Sequence, residues 1–348
     1  MKLSHSPPVA ALAAALSVGA CSDARNPAAP RPAFLATAAS ATTYSGRATV
    51  VQAALPLLAP ITIVDAGPLP PEGGADEQSL VDATVPGLLS VEVLHASTVG
   101  EGNHSRSEAS VAQIALSAGG NTISAGFLMA RAEARCSGGE ATTSGSSEIA
   151  DLTINNQSVV ISGQPNQTIF LPAGTGRVVI NEQPTAPAGD ITVNALHVVV
   201  NGVADVVVSS AHADIGCPQS PPPPPPSCPG FVTGGGWITG TPSGAKGNFA
   251  VAGGFKNGAL WGHLNYIDHG GGPKVKGTGV TGYTVVDDIT RRISGTAEID
   301  GQPGFTYEAE VSDAGEPGRS DRFALTLSNR YRASGNLEGG NIQLHTCR

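Results

Sequence analysis

Apolar positions along this chain come in short runs broken by turn-forming residues, and no stretch keeps a helical period over several turns. In the first part the runs fall at residues 48–55, 61–64, 88–94, 110–116, 122–130, 148–154, 158–161 and 177–180. Two longer runs, 190–200 and 203–215, flank Asn201-Gly202. That dipeptide supplies the positive φ angles of a type I′ hairpin. Gly119-Gly120-Asn121 and Asn155-Asn156-Gln157 read as two further turns. A second series follows at 231–238, 247–255, 260–267, 274–286, 292–299, 305–312, 322–328, 331–337 and 341–345. Between the two series stands 218–227, which contains six consecutive prolines. A polyproline run favours an extended, stiff helix, so it is expected to separate its neighbours and limit their contact. The pattern predicts an all-β protein of two antiparallel sandwich or barrel domains, 44–217 and 228–348, joined by that linker.

The start of the chain has another character. Residues 9–20 form an apolar run of 12, ended by Val18-Gly19-Ala20-Cys21. Twelve residues are too few to span a bilayer but suit the core of a signal segment. Small residues before a cysteine resemble a bacterial lipobox, with 1–20 as signal peptide and the Cys21 thiol taking the lipid. Val18 stands where leucine is more usual, and Val-Gly-Ala also suits ordinary signal peptidase, which would leave Cys21 bare and the protein secreted. Residues 21–43, rich in Ala, Pro, Ser and Thr, read as a disordered tether. The expected location is the bacterial cell envelope, at the outer membrane in a Gram-negative host. The N-terminal lipid is then the membrane partner.

Composition narrows the core. The chain is 40% hydrophobic but only 4% aromatic, so its interior must be built from Val, Ile, Leu and Ala. Both tryptophans, Trp237 and Trp261, lie in the second series. The net charge of −9 is concentrated in 44–217, where 16 acidic residues face 5 basic ones; 228–348 balances 11 against 11. An acidic first domain excludes a nucleic-acid partner, which needs a basic face.

Besides Cys21 the cysteines are Cys136, Cys217, Cys228 and Cys347. Four allow three pairings. The polyproline run would hold Cys217 and Cys228 roughly 25–30 Å apart, whereas a bridge needs Cα atoms within about 7 Å. The simplest remaining pairing is Cys136–Cys217 with Cys228–Cys347. No C-x-x-C or Cys/His spacing points to zinc.

Among candidate sites, the loop with Asp313, Glu316 and Asp321 around two glycines offers hard oxygen ligands for Ca²⁺. A tight turn, in which the aspartates accept backbone N–H groups, explains the same residues. His263, Asp268 and His269 are close in sequence, with His345 as a further candidate, and a zinc or acid–base site could draw on them. A regular strand would put His263 and Asp268 on opposite faces. His197 and His212 could face each other across the 190–215 hairpin. Trp237, Trp261, Tyr266 and Tyr307 would make a glycan platform if exposed and core if buried. Gly234-Gly235-Gly236 and Gly270-Gly271-Gly272 are not phosphate loops, since neither opens a helix. Neither G-x-S-x-G nor H-E-x-x-H is present.

Several segments of the first domain resemble the choice-of-anchor P family of bacterial surface proteins. They are Ala134-Arg135-Cys136-Ser137-Gly138-Gly139, Pro165-Asn166-Gln167-Thr168, Val179-Ile180-Asn181-Glu182-Gln183 and the stretch from Val193 to Ala213. The second domain resembles the post-COAP module through Val232-Thr233-Gly234-Gly235-Gly236-Trp237-Ile238, Gly262-His263-Leu264-Asn265-Tyr266-Ile267-Asp268 and Asp313-Ala314-Gly315-Glu316-Pro317-Gly318. The resemblance implies an exported, surface-anchored protein and no particular chemistry. Anchors in that family are often C-terminal; His345-Thr346-Cys347-Arg348 carries no sorting signal, which leaves the anchor to Cys21. The expectation is a non-enzymatic envelope protein with structural or adhesive domains, partnered by a cell-surface protein or glycan. Calcium or glycan binding in the second domain is the first alternative, and a hydrolase the second.

Overall fold

The computed structural model describes residues 41–218, 230–256 and 258–345. Those residues are almost entirely β, and no α-helix occurs among them. Three antiparallel sheets carry the fold. In the first, the strands order as Gln167–Phe170, Gly176–Glu182, Asp190–Val200, Ala204–Gly216, Thr43–Ala54 and Ile61–Ala66. In the second they run Gly74–Val85, Leu89–Glu101, His104–Ala118 and Asn121–Ser137, followed by the short Thr153–Ile154 and Gln157–Ser158. Glu140–Ala150 also pairs with Asn121–Ser137. These two sheets pack face to face over a shared core that includes Val50, Leu94, Ile114, Leu128, Val198 and Val208. They form a sandwich. With few large side chains between them the sheets come close: a Cβ on Gly46 would lie 2.3 Å from Thr98 Oγ1 on the facing sheet. Ser107 Oγ donates across the gap to the His212 carbonyl at 2.5 Å.

The third sheet has nine strands in the order Arg332–Asn336, Arg322–Leu327, Gln302–Ser312, Thr290–Ile299, Lys274–Val285, Ala259–Asp268, Gly247–Lys256, Phe231–Ile238 and Gly339–His345. It curls around an aromatic interior in which Phe249 stacks on Phe323 at 4.0 Å, beside buried Tyr266 and Tyr307. Ser334 N donates to the Gly240 carbonyl at 2.9 Å and draws the far edge back towards the first strands, giving a partly closed barrel.

Turn chemistry decides two details. Gly119–Gly120 connects Ala118 to Asn121 with both φ angles positive, as does Asn155–Asn156 between Ile154 and Gln157. These are two-residue hairpins of the primed kind. At Asn201-Gly202 the connection differs from expectation. Val200 pairs with Ala204, so the loop has three residues and only Gly202 takes positive φ. His197 and His212 do not face each other either, since their partners in the hairpin are Val207 and Thr192. His197 lies between Glu182 and Asp205 at 2.9 and 2.8 Å, and His212 lies 3.0 Å from Asp190.

The Cys136–Cys217 disulfide is present, with Cα atoms 5.5 Å apart. Cys21, Cys228 and Cys347 lie outside the described residues, and so do the expected signal segment and most of the expected tether. The expected separation of the two halves is corrected. The described chain from 41 to 345 forms a single compact unit, and the barrel packs directly on the second sheet of the sandwich. The physical reason lies in Phe231–Ile238, which is buried at every position. One face of this strand serves the barrel, and the other must be covered by something else. A Cβ on Gly235 would stand 2.7 Å from Ser110 Oγ on the sandwich. The glycine therefore lets the two backbones approach. Trp237 adds its ring to a small cluster with Val93, Ala112, Phe127 and Met129. A spacer fixes how far apart two chain ends can lie; it does not stop the bodies beyond it from docking.

Candidate functional site

The seam between sandwich and barrel holds a cleft of about 260 Å³. Its floor follows from strand registry. His104–Ala118 and Asn121–Ser137 pair so that Arg106 stands opposite Glu133 and Glu108 opposite Arg131. Residues two apart share a face, so two guanidinium groups and two carboxyls form a checkerboard. Arg106 Nη2 donates to Glu133 Oε1 at 3.1 Å, and Arg131 Nε lies 3.4 Å from Glu108 Oε2. Ser144 and Ser146 continue the floor on the next strand, and Glu316, Pro317 and Asn341 of the barrel form the roof.

Glu108 is 8% exposed. Burial pushes its carboxyl pKa up to about 7; nearby Glu316 adds to the rise, while Arg131 and a hydrogen bond from Asn341 oppose it. Asn341 Nδ2 bridges the acids, lying 3.4 Å from Glu108 Oε2 and 3.0 Å from Glu316 Oε1. Asn341 Oδ1 and Arg131 Nε are buried without a hydrogen-bond partner. Around the cleft the lobes are tied together: Glu148 accepts from the Gly340 N–H at 3.1 Å and meets Arg319 at 3.3 Å, and Arg131 Nη2 donates to the Gly340 carbonyl at 3.1 Å. The floor residues escape the sequence pattern because they lie on strand ends beyond the apolar runs 110–116, 122–130 and 148–154. The available signal was period-2 charge, Arg106 with Glu108 and Arg131 with Glu133 and Arg135, within otherwise small and apolar strands.

The predicted loop residues lie along the same roof, with roles divided among them. Asp313 accepts the Gly315 and Leu344 N–H groups at 3.0 and 2.8 Å. Asp321 is fully buried and accepts those of Ala314 and Ile342 at 2.8 and 2.9 Å. Burial raises Asp321 to about 6 in spite of these bonds. Glu316 turns away to Asn341 and to Gln343, whose Nε2 lies at 3.3 Å. Both oxygens of each aspartate are thus engaged on backbone, and only Glu316 reaches the cleft.

The histidines predicted to share a site are dispersed. Asp268 accepts from the Tyr331 hydroxyl at 2.7 Å, and His269 Nδ1 lies 3.8 Å from Glu92. His345 is buried, stacks on Phe231 and has Nε2 3.0 Å from Thr233 Oγ1. Burial holds its pKa well below the usual histidine range. His263 instead meets Glu77 and His95 of the sandwich. Trp237, Tyr266 and Tyr307 are core residues, and Trp261 is half-buried beneath Lys256.

No family model matches the chain, and no curated protein matches it. Two solved structures show a weak likeness. Kievitone hydratase from Nectria haematococca is 9% identical, with 79% of this chain and 89% of that chain covered and a TM-score of 0.20. A protein named AttH from Nitrosomonas europaea is 9% identical, with 88% and 93% covered and a TM-score of 0.19. Likeness at that level transfers neither fold nor activity to this chain.

Proposed function

We propose that this chain is a non-enzymatic cell-envelope protein, tethered through a lipid on Cys21, whose β body binds a saccharide in the cleft between its lobes. The cleft carries the reading. Its checkerboard of carboxylates and guanidinium groups, with Ser144, Ser146 and Asn341 beside them, alternates acceptors and donors at strand spacing. Sugar hydroxyls, which donate and accept at once, match such a surface. The volume lies below the roughly 300–1,000 Å³ typical of drug-sized sites and suits a small ligand. The lipobox-like Val18-Gly19-Ala20-Cys21 and the resemblance to choice-of-anchor P proteins support placement in the envelope.

Glycan-array binding of the purified protein, followed by calorimetry on the best saccharide, tests the ligand. Binding that falls in both R131Q and E316Q is expected; no binding across the array refutes it. Palmitate labelling tests the anchor. Incorporation lost in C21S is expected, and an unlabelled, secreted wild type refutes the tether.

A second reading rests on one observation: Glu108, held protonated up to about pH 7, shares Asn341 with Glu316. A protonated acid beside a second carboxylate is the pairing of glycoside hydrolysis. Turnover of chromogenic glycosides, abolished in E108Q, would favour this reading over simple binding.

A further inference from the structure

The strongest unassigned feature of the molecule lies on the seam but outside the cleft. Glu77 projects from Gly74–Val85, His95 from Leu89–Glu101 and His263 from Ala259–Asp268. One ligand-type atom from each lies within 4.8 Å of the others. His95 is completely buried, yet both its ring nitrogens lack a hydrogen-bond partner. His263 Nε2 and Glu77 Oε2 are also buried without one. His263 Nδ1 stands 2.7 Å from Glu77 Oε2, close enough for an ion pair but out of line for a hydrogen bond.

An interior seldom leaves a whole imidazole unpaired, because each orphaned polar atom costs free energy that a partner would recover. Nor is His95 held there as a cation. A protonated ring would carry two buried N–H donors, and neither nitrogen has a partner to receive one. A neutral imidazole keeps one nitrogen lone pair free for coordination. Glu77 adds a carboxylate oxygen beside the two rings. Two imidazoles and one carboxylate are a donor set for zinc-like divalent ions, not for calcium or magnesium, which take oxygen ligands. Bonds of about 2.0–2.2 Å need donors closer together than the longest separation here, a gap that side-chain rotation can close.

We propose that Glu77, His95 and His263 form a binding site for one divalent transition-metal ion of the zinc class, which staples the barrel to the sandwich. Two ligands come from neighbouring strands of one lobe and the third from the other, so an ion held by all three must favour the docked arrangement. Three protein ligands leave a coordination position for water. The side chains of His263 and Glu77 keep 14% and 11% exposure, which gives the ion a path from solvent. The inference does not depend on what the cleft binds, since the two sites share no residue.

The test uses the full chain, stripped with a chelator and titrated with Zn²⁺ by calorimetry and with Co²⁺ by visible absorption. One ion per chain, the intense d–d bands of four-coordinate cobalt and a Tm that climbs with Zn²⁺ concentration are expected. E77Q and H263Q, both at the rim, should each weaken binding by more than the roughly 10–100-fold typical of losing an outer-shell partner. H197Q and H269Q, at histidines away from the trio, should leave it unchanged. Circular dichroism of the stripped variants shows that they fold. Absence of binding overturns the proposal, as does affinity unaffected by E77Q and H263Q, or lost equally in H197Q or H269Q. The last pattern would mark adventitious capture by surface histidines.

Discussion

Trp237 offers the most direct test of whether the sandwich and barrel behave as one body. Its ring is 6% exposed and sits 4.7 Å, centroid to centroid, from Phe127 on the sandwich, with Lys246 Nζ 5.3 Å from its centre. Truncating such a side chain to alanine costs about 3–5 kcal/mol, transfer and cavity together. Of that, the aromatic pair across the seam accounts for about 0.5–1.5 kcal/mol beyond buried area. The design is a cycle of W237A, F127A and the double variant, unfolded in urea. Both tryptophans belong to the barrel, so in W237A the remaining Trp261 reports on the barrel alone. Far-UV circular dichroism reports on both lobes. Coincident transitions by the two probes are expected in the wild type, with W237A lowering stability by about 4 kcal/mol and the cycle returning a coupling of about 1 kcal/mol. Two observations would refute the reasoning. Separate midpoints for the probes would mean that the lobes unfold independently. Additivity within about 0.3 kcal/mol would mean that the ring pair does not form in solution.

Three further outcomes follow from the same structure. Glu108 holds its proton more tightly folded than unfolded, so its favourable contribution is complete below about pH 4.5 and is lost as pH rises through about 7. E108Q should therefore gain on the wild type by up to about 3 kcal/mol between those limits, and a pH-independent difference in urea stability would show that Glu108 is not held protonated. Replacing Cys136 and Cys217 by serine opens a loop closed over 81 residues and should cost up to about 4–5 kcal/mol on chain entropy; an unchanged Tm between reduced and oxidised protein would contradict the bridge. G235V drives a side chain towards Ser110 and should destabilise by about 1–3 kcal/mol, with S110G restoring part of the loss; full tolerance of valine would mean that the backbones are not in contact there.

Strand positions were largely legible because alternation survives wherever one face is buried and the other wet. From 231 to 345 the predicted runs and the observed strands agree closely. The failure at Gly74–Val85 is instructive. Gly-Ala-Asp-Glu-Gln-Ser-Leu-Val-Asp-Ala-Thr-Val has too few apolar residues to announce a strand, since it forms the outer edge of its sheet and pairs on one side only. Its polar side chains have work at the seam: Ser79 accepts from Asn265 at 2.7 Å, Asp82 meets Lys274 at 2.6 Å, and Glu77 meets His263. A partner far along the chain leaves no local trace. The same holds for the cleft, whose Arg106–Glu133 pair exists only once two strands are in register.

Features without a role in the sequence converge on one place. Gly235 of the triple glycine, the polar edge strand, His263 and the loop carrying Glu316 all border the seam. Gly235 makes room for the facing backbone, Asp313 and Asp321 shape the loop that presents Glu316, and Glu148 holds Arg319 and the Gly340 N–H from across the gap. A surface selected only to stay folded gains little from buried charges, because removing them from water costs about as much as their attraction returns. Retaining a cluster of two guanidinium groups and two carboxyls, one of them raised to about 7 by burial, and an unpaired buried imidazole at one interface is therefore costly unless the interface binds something. That cost directs the search for function to the seam, ahead of the outer faces of either lobe.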